Sequence, residues 1–207
     1  VENQPSGSIV RILTDFNQAL SASPGLLTTI QASLENVERL VPADMLEINL
    51  WDPDSRYLIP YRFGTGTGAD RQLERSFGRP VAGYSAKILS SRKALFIPDT
   101  EKYGEIFLDA KNEQVSVRSY IGLPLLTGTD MVGTLELGAV NADAYAPEDL
   151  EVLELISGQV AIAIRNASML EVEKRRSGEL GGLASLAQVA VTPRDPQEIV
   201  GRLIQNI

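Results

Sequence analysis

Two stretches of the chain alternate between apolar and polar residues, and this pattern constrains the fold more than any other feature. The first runs over residues 46–51, is interrupted by the turn residues 52–55 and resumes over 57–63. Alternation with a period of two is typical of strands with one buried face, so the spacing predicts a β-hairpin. Two further strands, predicted over 120–126 and 131–140 and joined by the turn 127–130, form a second hairpin.

Helical periodicity brackets the two hairpins. Before the first, apolar residues recur three or four positions apart at Ile9, Leu13, Phe16 and Leu20, and again at Leu27, Ile30, Leu34 and Val37. After the second, Pro147 and the acidic residues behind it predict the start of a helix that ends at Gly178, about 30 residues later. Between the hairpins, 64–79 is expected to be mostly loop with a short helix near 70–75, followed by a short helix at 84–89 and a strand at 94–97.

The residue types that are missing narrow the chemistry. The 207 residues include no cysteine and no histidine, so the ligands for a thioether-linked bilin, a haem or a zinc site are absent and no cofactor is expected. The 19 lysines and arginines oppose 27 acidic residues, and the resulting net charge of −8 argues against nucleic-acid binding. The longest apolar run, 160–164, is far shorter than the roughly 18 residues that span a membrane.

The end of the chain repeats the pattern of its beginning. A shift of 170 residues superposes Leu13 on Leu183, Ile30 on Val200 and Leu34 on Ile204, and a proline-containing break interrupts both copies. The repeat predicts the first helices of a truncated second domain over 183–207, which follow a helical linker over 173–182. Because it also begins with valine rather than methionine, the chain is expected to be a segment of a longer protein.

Several segments, in their order and spacing, resemble the GAF domain family. They are residues 83–99, 117–125, 132–137 and 147–167, and the resemblance covers about 9–172. Arg92, Ala94 and Ala146 depart from the residues usual in that family. The resemblance implies a GAF/PAS-like α+β fold with a central antiparallel sheet of five or six strands. The N- and C-terminal helices would lie on one face, and loops and short helices would cover a small-molecule pocket on the other.

Strand parity places the candidate pocket on the polar face of the sheet. One face of 46–50 and 135–137 is aliphatic, and the other carries acidic and amide side chains. The candidate ligand-binding residues belong to this face or to the segments expected to cover it: Glu47, Asn49, Trp51, Tyr84, Asp99, Tyr103, Phe107, Ser119, Thr134 and Glu136. A solvated polar face, and a cavity filled by the chain's own aromatic residues, are alternatives that the sequence leaves open.

These features predict a cytoplasmic regulatory sensor module that binds an unidentified small molecule and relays binding through its long C-terminal helix. The alternative is a dimerisation or interaction module whose pocket is self-filled. No nucleophile or metal site accompanies the carboxylates of Glu47 and Glu136, so no catalytic activity is expected. The unpartnered apolar helices predict a homodimer that bundles Leu13 and Phe16 with Val160 and Ile164.

Overall fold

The computed structural model describes residues 25–63, 72–103 and 117–191, with the isolated positions 14 and 18, and the side chains of its last helix up to Gly178. The chain divides into two compact units, Val1–Ser168 and Met169–Ile207. The helices described in full are α1 (Leu26–Leu40), α2 (Gly83–Ser91) and α3 (Pro147–Val191). Its strands are β1 (Met45–Asp52), β2 (Tyr57–Phe63), β3 (Leu73–Arg75), β4 (Arg79–Pro80), β5 (Leu95–Ile97), β6 (Ser119–Thr127) and β7 (Asp130–Ala139).

The strands form one antiparallel sheet in the order β3-β2-β1-β7-β6-β5, with β4 beside β2. This confirms the predicted α+β fold and both hairpins, β1–β2 and β6–β7. The sheet has seven strands rather than the five or six expected. The extra strands, β3 and β4, come from the segment predicted as loop, and the short helix expected near 70–75 is wrong. Short strands form there because the edge of β2 offers backbone N–H and C=O groups that need partners. Glu74 of β3 and Arg79 of β4 pair with this edge through the antiparallel register.

The apolar face of the sheet packs against α1 and α3. Leu46 and Ile48 of β1 lie beside Leu135 and Leu137 of β7 in the register, and all four are fully buried. The same core cluster includes Ile30, Leu34 and Val37 of α1 and Leu153, Ile156, Val160 and Ile164 of α3. Full burial of each such side chain contributes about 1.5–3 kcal/mol, so this face accounts for much of the fold's stability.

Helix α3 begins where the sequence predicts but continues further. The backbone N–H of Ala146 donates to Oδ2 of Asp149 at 2.8 Å, so Asp149 caps the helix although Ala146 has no capping side chain. The expected end at Gly178 is wrong, because the helix runs on to Val191. A glycine inside a helix costs about 1 kcal/mol, which weakens the helix without ending it. None of the helices in the described part of the chain is long and apolar enough to cross a membrane.

Two of the residues assigned to the dimer contact lie inside the fold. Val160 and Ile164 are fully buried in the core of the single chain, packed on the apolar face of the sheet. They therefore cannot form a contact between copies, and a dimer would have to use other residues. Leu13 and Phe16 lie outside the described residues, as do 192–207 of the proposed second domain. The domain boundaries at 172 and 182 stay a prediction.

Candidate functional site

Four polar side chains meet in the middle of the sheet, on the face opposite the helices. Glu47 of β1 lies across from Glu136 of β7, and Asn49 lies across from Thr134. Their parity is opposite to that of the core leucines, so the strands turn these side chains away from α1 and α3. None is more than 4% exposed. The sequence analysis predicted all four as site residues, and the structure brings them together.

Hydrogen bonds join these residues to two further side chains. Oε1 of Glu136 accepts from Nδ2 of Asn49 at 3.0 Å, from Oγ of Ser85 at 2.7 Å and from Oγ1 of Thr134 at 2.6 Å. Its Oε2 accepts from the hydroxyl of Tyr120 at 2.8 Å. Nδ2 of Asn49 also lies 3.0 Å from Oε1 of Glu47, which links the two carboxylates through one amide.

Two arginines, one on β2 and one on β4, approach Glu47. Arg62 of β2 donates to its Oε2 through Nε at 3.1 Å and also through Nη2. Arg79 of β4 donates through Nη2 to Oε1 of Glu47 at 2.8 Å and to Oδ1 of Asn49 at 3.2 Å. Together these residues are called the polar cluster: Glu47, Asn49, Arg62, Arg79, Ser85, Tyr120, Thr134 and Glu136.

The two buried carboxyl groups differ in their electrostatics. Burial favours the neutral form of Glu47, but the charges of Arg79 and Arg62 outweigh it and hold the pKa below its ordinary value. For Glu136 burial raises the pKa, and the negative charge of Glu47 raises it further, whereas its hydrogen bonds only partly oppose this. Burial and the charge of Glu136 also raise the pKa of the Tyr120 hydroxyl well above its usual range. The two neighbouring carboxyl groups therefore have pKa values shifted in opposite directions, that of Glu47 downward and that of Glu136 upward.

Helix α2 and an aromatic stack cover the polar cluster. The first turn of α2 supplies Ser85 to Glu136, and Tyr84 packs on Tyr120 with ring centroids 4.8 Å apart. Tyr103 makes an edge contact with Tyr84 at 6.2 Å, and Nζ of the exposed Lys87 donates to the Tyr103 hydroxyl at 2.6 Å. The three tyrosines thus extend from the buried Glu136 to the surface.

Arg92, one of the departures from the family pattern, ends α2 in a left-handed backbone conformation. Arg92 has a φ of 56°, a conformation that glycine adopts without strain. Its Nη1 donates to the carbonyl oxygen of Thr129 at 2.6 Å. This bond fixes the end of α2 to the turn between β6 and β7.

The polar cluster does not include the predicted site residues Asp99, Ser119 and Trp51. Asp99 instead pairs with Arg118 and Lys102, each at 3.1 Å, and these partners lower its pKa, Lys102 most of all. Ser119 donates to the carbonyl of Pro98 at 2.7 Å and accepts from the N–H of Ala144 at 3.0 Å, so it holds two loops together. Trp51 is half-buried at the far end of β1, and Phe107 lies outside the described residues.

Sequence reasoning missed four members of the polar cluster: Arg62, Arg79, Ser85 and Tyr120. A signal existed for Arg62, because the register of the first hairpin places it directly across from Glu47. Nothing in the sequence indicated Arg79, since its position depends on the two-residue strand β4. Ser85 and Tyr120 meet Glu136 only because α2 packs over the sheet.

A separate surface cavity of about 300 Å³ lies at the outer end of β2 and β3, lined by Asp52, Ser55, Tyr57, Ile59, Arg75, Ser76, Phe77 and Gly78. It contains none of the predicted site residues. Among the residues that the structure describes, no three acidic side chains are grouped so that they could hold a metal ion.

The GAF domain family matches residues 25–165 of the chain, which is more than half of its length, and the chain belongs to this family. A curated relative, the anaerobic nitric oxide reductase transcription regulator NorR of Serratia proteamaculans (strain 568), is 33% identical over 90 residues. Those residues are 44% of this chain and 17% of the regulator, so the chain spans about a sixth of its length. Family membership identifies the chain as a module of the sensor and regulatory kind found in signal transduction.

Solved structures share the fold. A GAF domain of a phosphoenolpyruvate-protein phosphotransferase from Coxiella burnetii is 15% identical with a TM-score of 0.65, over 82% of this chain and 99% of that one. A free methionine-R-sulfoxide reductase from Neisseria meningitidis, solved with its substrate, is 10% identical with a TM-score of 0.61, over 82% of this chain and 96% of that one. At these identities the likeness shows the fold alone.

The second of these structures corrects the sequence analysis. The chain was expected to have no catalytic activity because no nucleophile or metal site accompanies Glu47 and Glu136, and the solved structures contradict this expectation. Free methionine-R-sulfoxide reductases from Neisseria meningitidis and Staphylococcus aureus share the fold, so it includes enzymes. Membership of the fold class therefore does not exclude catalysis.

Proposed function

We propose that the chain is a cytoplasmic sensor module of a signal-transduction protein, which binds a small molecule on the polar face of its sheet. The observation that carries the proposal is the polar cluster itself. Burying Glu47, Glu136, Asn49 and Thr134 is costly, and apolar residues of similar volume would stabilise a sheet at least as well. The similarity to a transcription regulator supports a regulatory role for the whole protein.

A relay to α3 follows from the position of β7. Glu136 lies on the polar face of this strand, and its neighbours Leu135 and Leu137 pack in the core cluster with α3. Arg165 of α3 donates to Thr127 Oγ1 at the end of β6 and to Asp130 Oδ2 at the start of β7, each at 2.7 Å. A ligand that shifts β7 would therefore act on α3 at both places.

The test compares ligand responses of two hydroxyl deletions. A panel of metabolites is screened by thermal unfolding, where a ligand at 100 times its Kd adds about 2.7 kcal/mol. Thr134→Val removes a hydroxyl of the polar cluster, whereas Thr100→Val removes a buried hydroxyl that donates to the carbonyl oxygen of Val117 outside the cluster. We expect the first variant to lose the response and the second to keep it. Hydrogen exchange in α3 should change on binding in the wild type. No response to any panel member, or equal responses of both variants, contradicts the proposal.

The alternative is a dimerisation module with a self-filled pocket, and one observation favours it. Glu136 already accepts four hydrogen bonds from the chain's own side chains. For a contact between copies, α3 offers Leu155 and Ile162, seven positions apart and 49% and 48% exposed. A dimer that Ile162→Lys converts to a monomer in sedimentation, together with no ligand response, supports this alternative.

A further inference from the structure

We infer that the cavity at the outer end of β2 and β3 binds a small aromatic carboxylate, whose ring contacts Tyr57 and Phe77 and whose acid group contacts Arg75. The cavity volume of about 300 Å³ is at the lower end of the range for small-molecule sites, which suits a single ring with a short chain. Ile59 of the cavity wall packs against the core cluster, so strand parity places the cavity on the sheet face opposite the polar cluster. The inference therefore goes beyond the proposed function and does not depend on it.

Two exposed aromatic side chains line this cavity. Phe77 is 98% exposed and Tyr57 is 42% exposed, and they are the only exposed aromatic residues in the described part of the chain. Neither side chain belongs to the core clusters. Aromatic rings left in water around one concave surface are typical of a binding site, because a ligand that covers them removes their apolar area from water.

Backbone pairing holds the walls of the cavity in place. The N–H of Ser76 donates to the carbonyl oxygen of Pro60 at 3.0 Å, and β3 and β4 on either side of it pair with β2. A Cβ at Gly78 would lie 3.3 Å from Cδ2 of Tyr57, so the backbone there lies against this ring and glycine leaves the space beside it open. The cavity therefore exists before a ligand binds, which limits the ordering cost of binding.

The charged residues of the cavity favour a single carboxylate on the ligand. Arg75 makes no hydrogen bond or ion pair with the described residues, and its guanidinium carbon lies 6.0 Å from the centre of the Tyr61 ring. Asp52, by contrast, is engaged by its own turn, because it accepts from the Ser55 hydroxyl at 2.6 Å and from the N–H of Asp54 at 3.1 Å. These bonds, that of Ser55 most of all, lower the pKa of Asp52. The negative charge of Asp52 disfavours a dianion such as a phosphate ester, whereas Arg75 presents the paired donors that match one carboxylate.

The experiment titrates the full chain with phenylacetate and follows binding by calorimetry and by the NMR signals of the backbone amides. Phenylacetamide is the uncharged match, acetate is the match without a ring, and sodium chloride at equal ionic strength controls for screening. We expect phenylacetate to shift the amide signals of Ser76, Phe77 and Gly78. It should bind about tenfold or more tightly than phenylacetamide, because the amide offers no charged acceptor to Arg75. No shift of these signals at about 10 mM phenylacetate, which would nearly saturate a site with a millimolar Kd, overturns the inference, as does equal binding of phenylacetate and either match.

Variants assign the contacts. Phe77→Ser should weaken phenylacetate binding about tenfold and leave the urea unfolding midpoint near that of the wild type, because the side chain is 98% exposed. Arg75→Gln should weaken phenylacetate binding to the level of phenylacetamide. Leu27→Ser and Arg39→Gln, at exposed or partly exposed positions of α1 that do not line the cavity, should bind as the wild type does. Unchanged binding by Phe77→Ser or by Arg75→Gln overturns the inference.

Discussion

Replacing Glu47 or Glu136 by glutamine compares the loss of a carboxylate paired with arginines and the loss of one bonded only by neutral donors. Each is replaced by glutamine, which keeps the shape and removes the charge. Removing one partner of a buried ion pair costs about 3–5 kcal/mol. The arginines of Glu47 are 27% and 26% exposed and regain some hydration, so Glu47→Gln should lower the free energy of unfolding by about 2–4 kcal/mol. Glu136 contacts no cation among the described residues, and burial already disfavours its charge. Glu136→Gln should therefore change the free energy of unfolding by no more than about 1 kcal/mol.

The assay is urea unfolding at pH 7, with equal m-values as the check that both variants unfold from the same compact state. Losses of equal size would refute the reasoning, because they would mean that the arginine pairing of Glu47 adds nothing beyond shape.

The effect of pH separates the two residues further. The folded-state pKa of Glu47 lies below its ordinary value of 4.5, so its stabilisation is present above that value and is lost as the pH falls through the folded pKa. The gap between wild type and Glu47→Gln should therefore narrow in acid. The pKa of Glu136 is raised, so its ionisation penalises the fold at high pH and this penalty disappears as the pH falls. The stability of the wild type relative to Glu136→Gln should therefore rise as the pH falls from neutral toward 4.5, the ordinary pKa of the group.

Three further predictions use the same unfolding assay. Gly133→Ala places a Cβ 2.0 Å from the carbonyl oxygen of Asn49, so it should force β1 and β7 apart and lower stability by about 3 kcal/mol. Gly158→Ala in α3 places a Cβ that meets no atom within 4 Å, so it should raise stability by about 0.5–1 kcal/mol. Equal effects would contradict this. Ile88→Ala removes a fully buried side chain from the inner face of α2 and should lower the free energy of unfolding by about 2–5 kcal/mol. A loss of less than about 1 kcal/mol would mean that α2 is loosely packed on the sheet. Phe77→Ser, at a side chain 98% exposed, should change stability by no more than about 0.5 kcal/mol, and a larger loss would reveal a hidden contact.

Local patterns were sufficient to predict the hairpins and the faces of their strands. The alternation around Ile48 and Leu135 predicted which side chains enter the core, and the same parity predicted that Glu47 and Glu136 share the opposite face of the sheet. Strands β3 and β4 could not be predicted in this way. Their two or three residues carry too little pattern, and they form because the edge of β2 is available.

The same limit applies to the polar cluster. The sequence predicted its acids and amide, whose neighbours are fixed by strand register. It did not predict Ser85 or Tyr120, which reach Glu136 across 51 and 16 positions of sequence through the packing of α2 and β6. It also assigned Asp99 to the pocket, because a lone aspartate at a strand end gives no sign of whether an arginine such as Arg118 will neutralise it.

The double pairing of Glu47 constrains how this site can evolve. Loss of the acid alone would leave the guanidiniums of Arg62 and Arg79 close together without the carboxylate whose negative charge offsets their repulsion. Loss of one arginine leaves Glu47 paired with the other, so either arginine can be replaced first. Glu47 cannot be replaced while both arginines remain. Among descendants of this sequence, we expect position 47 to change only after position 62 or 79 has become neutral.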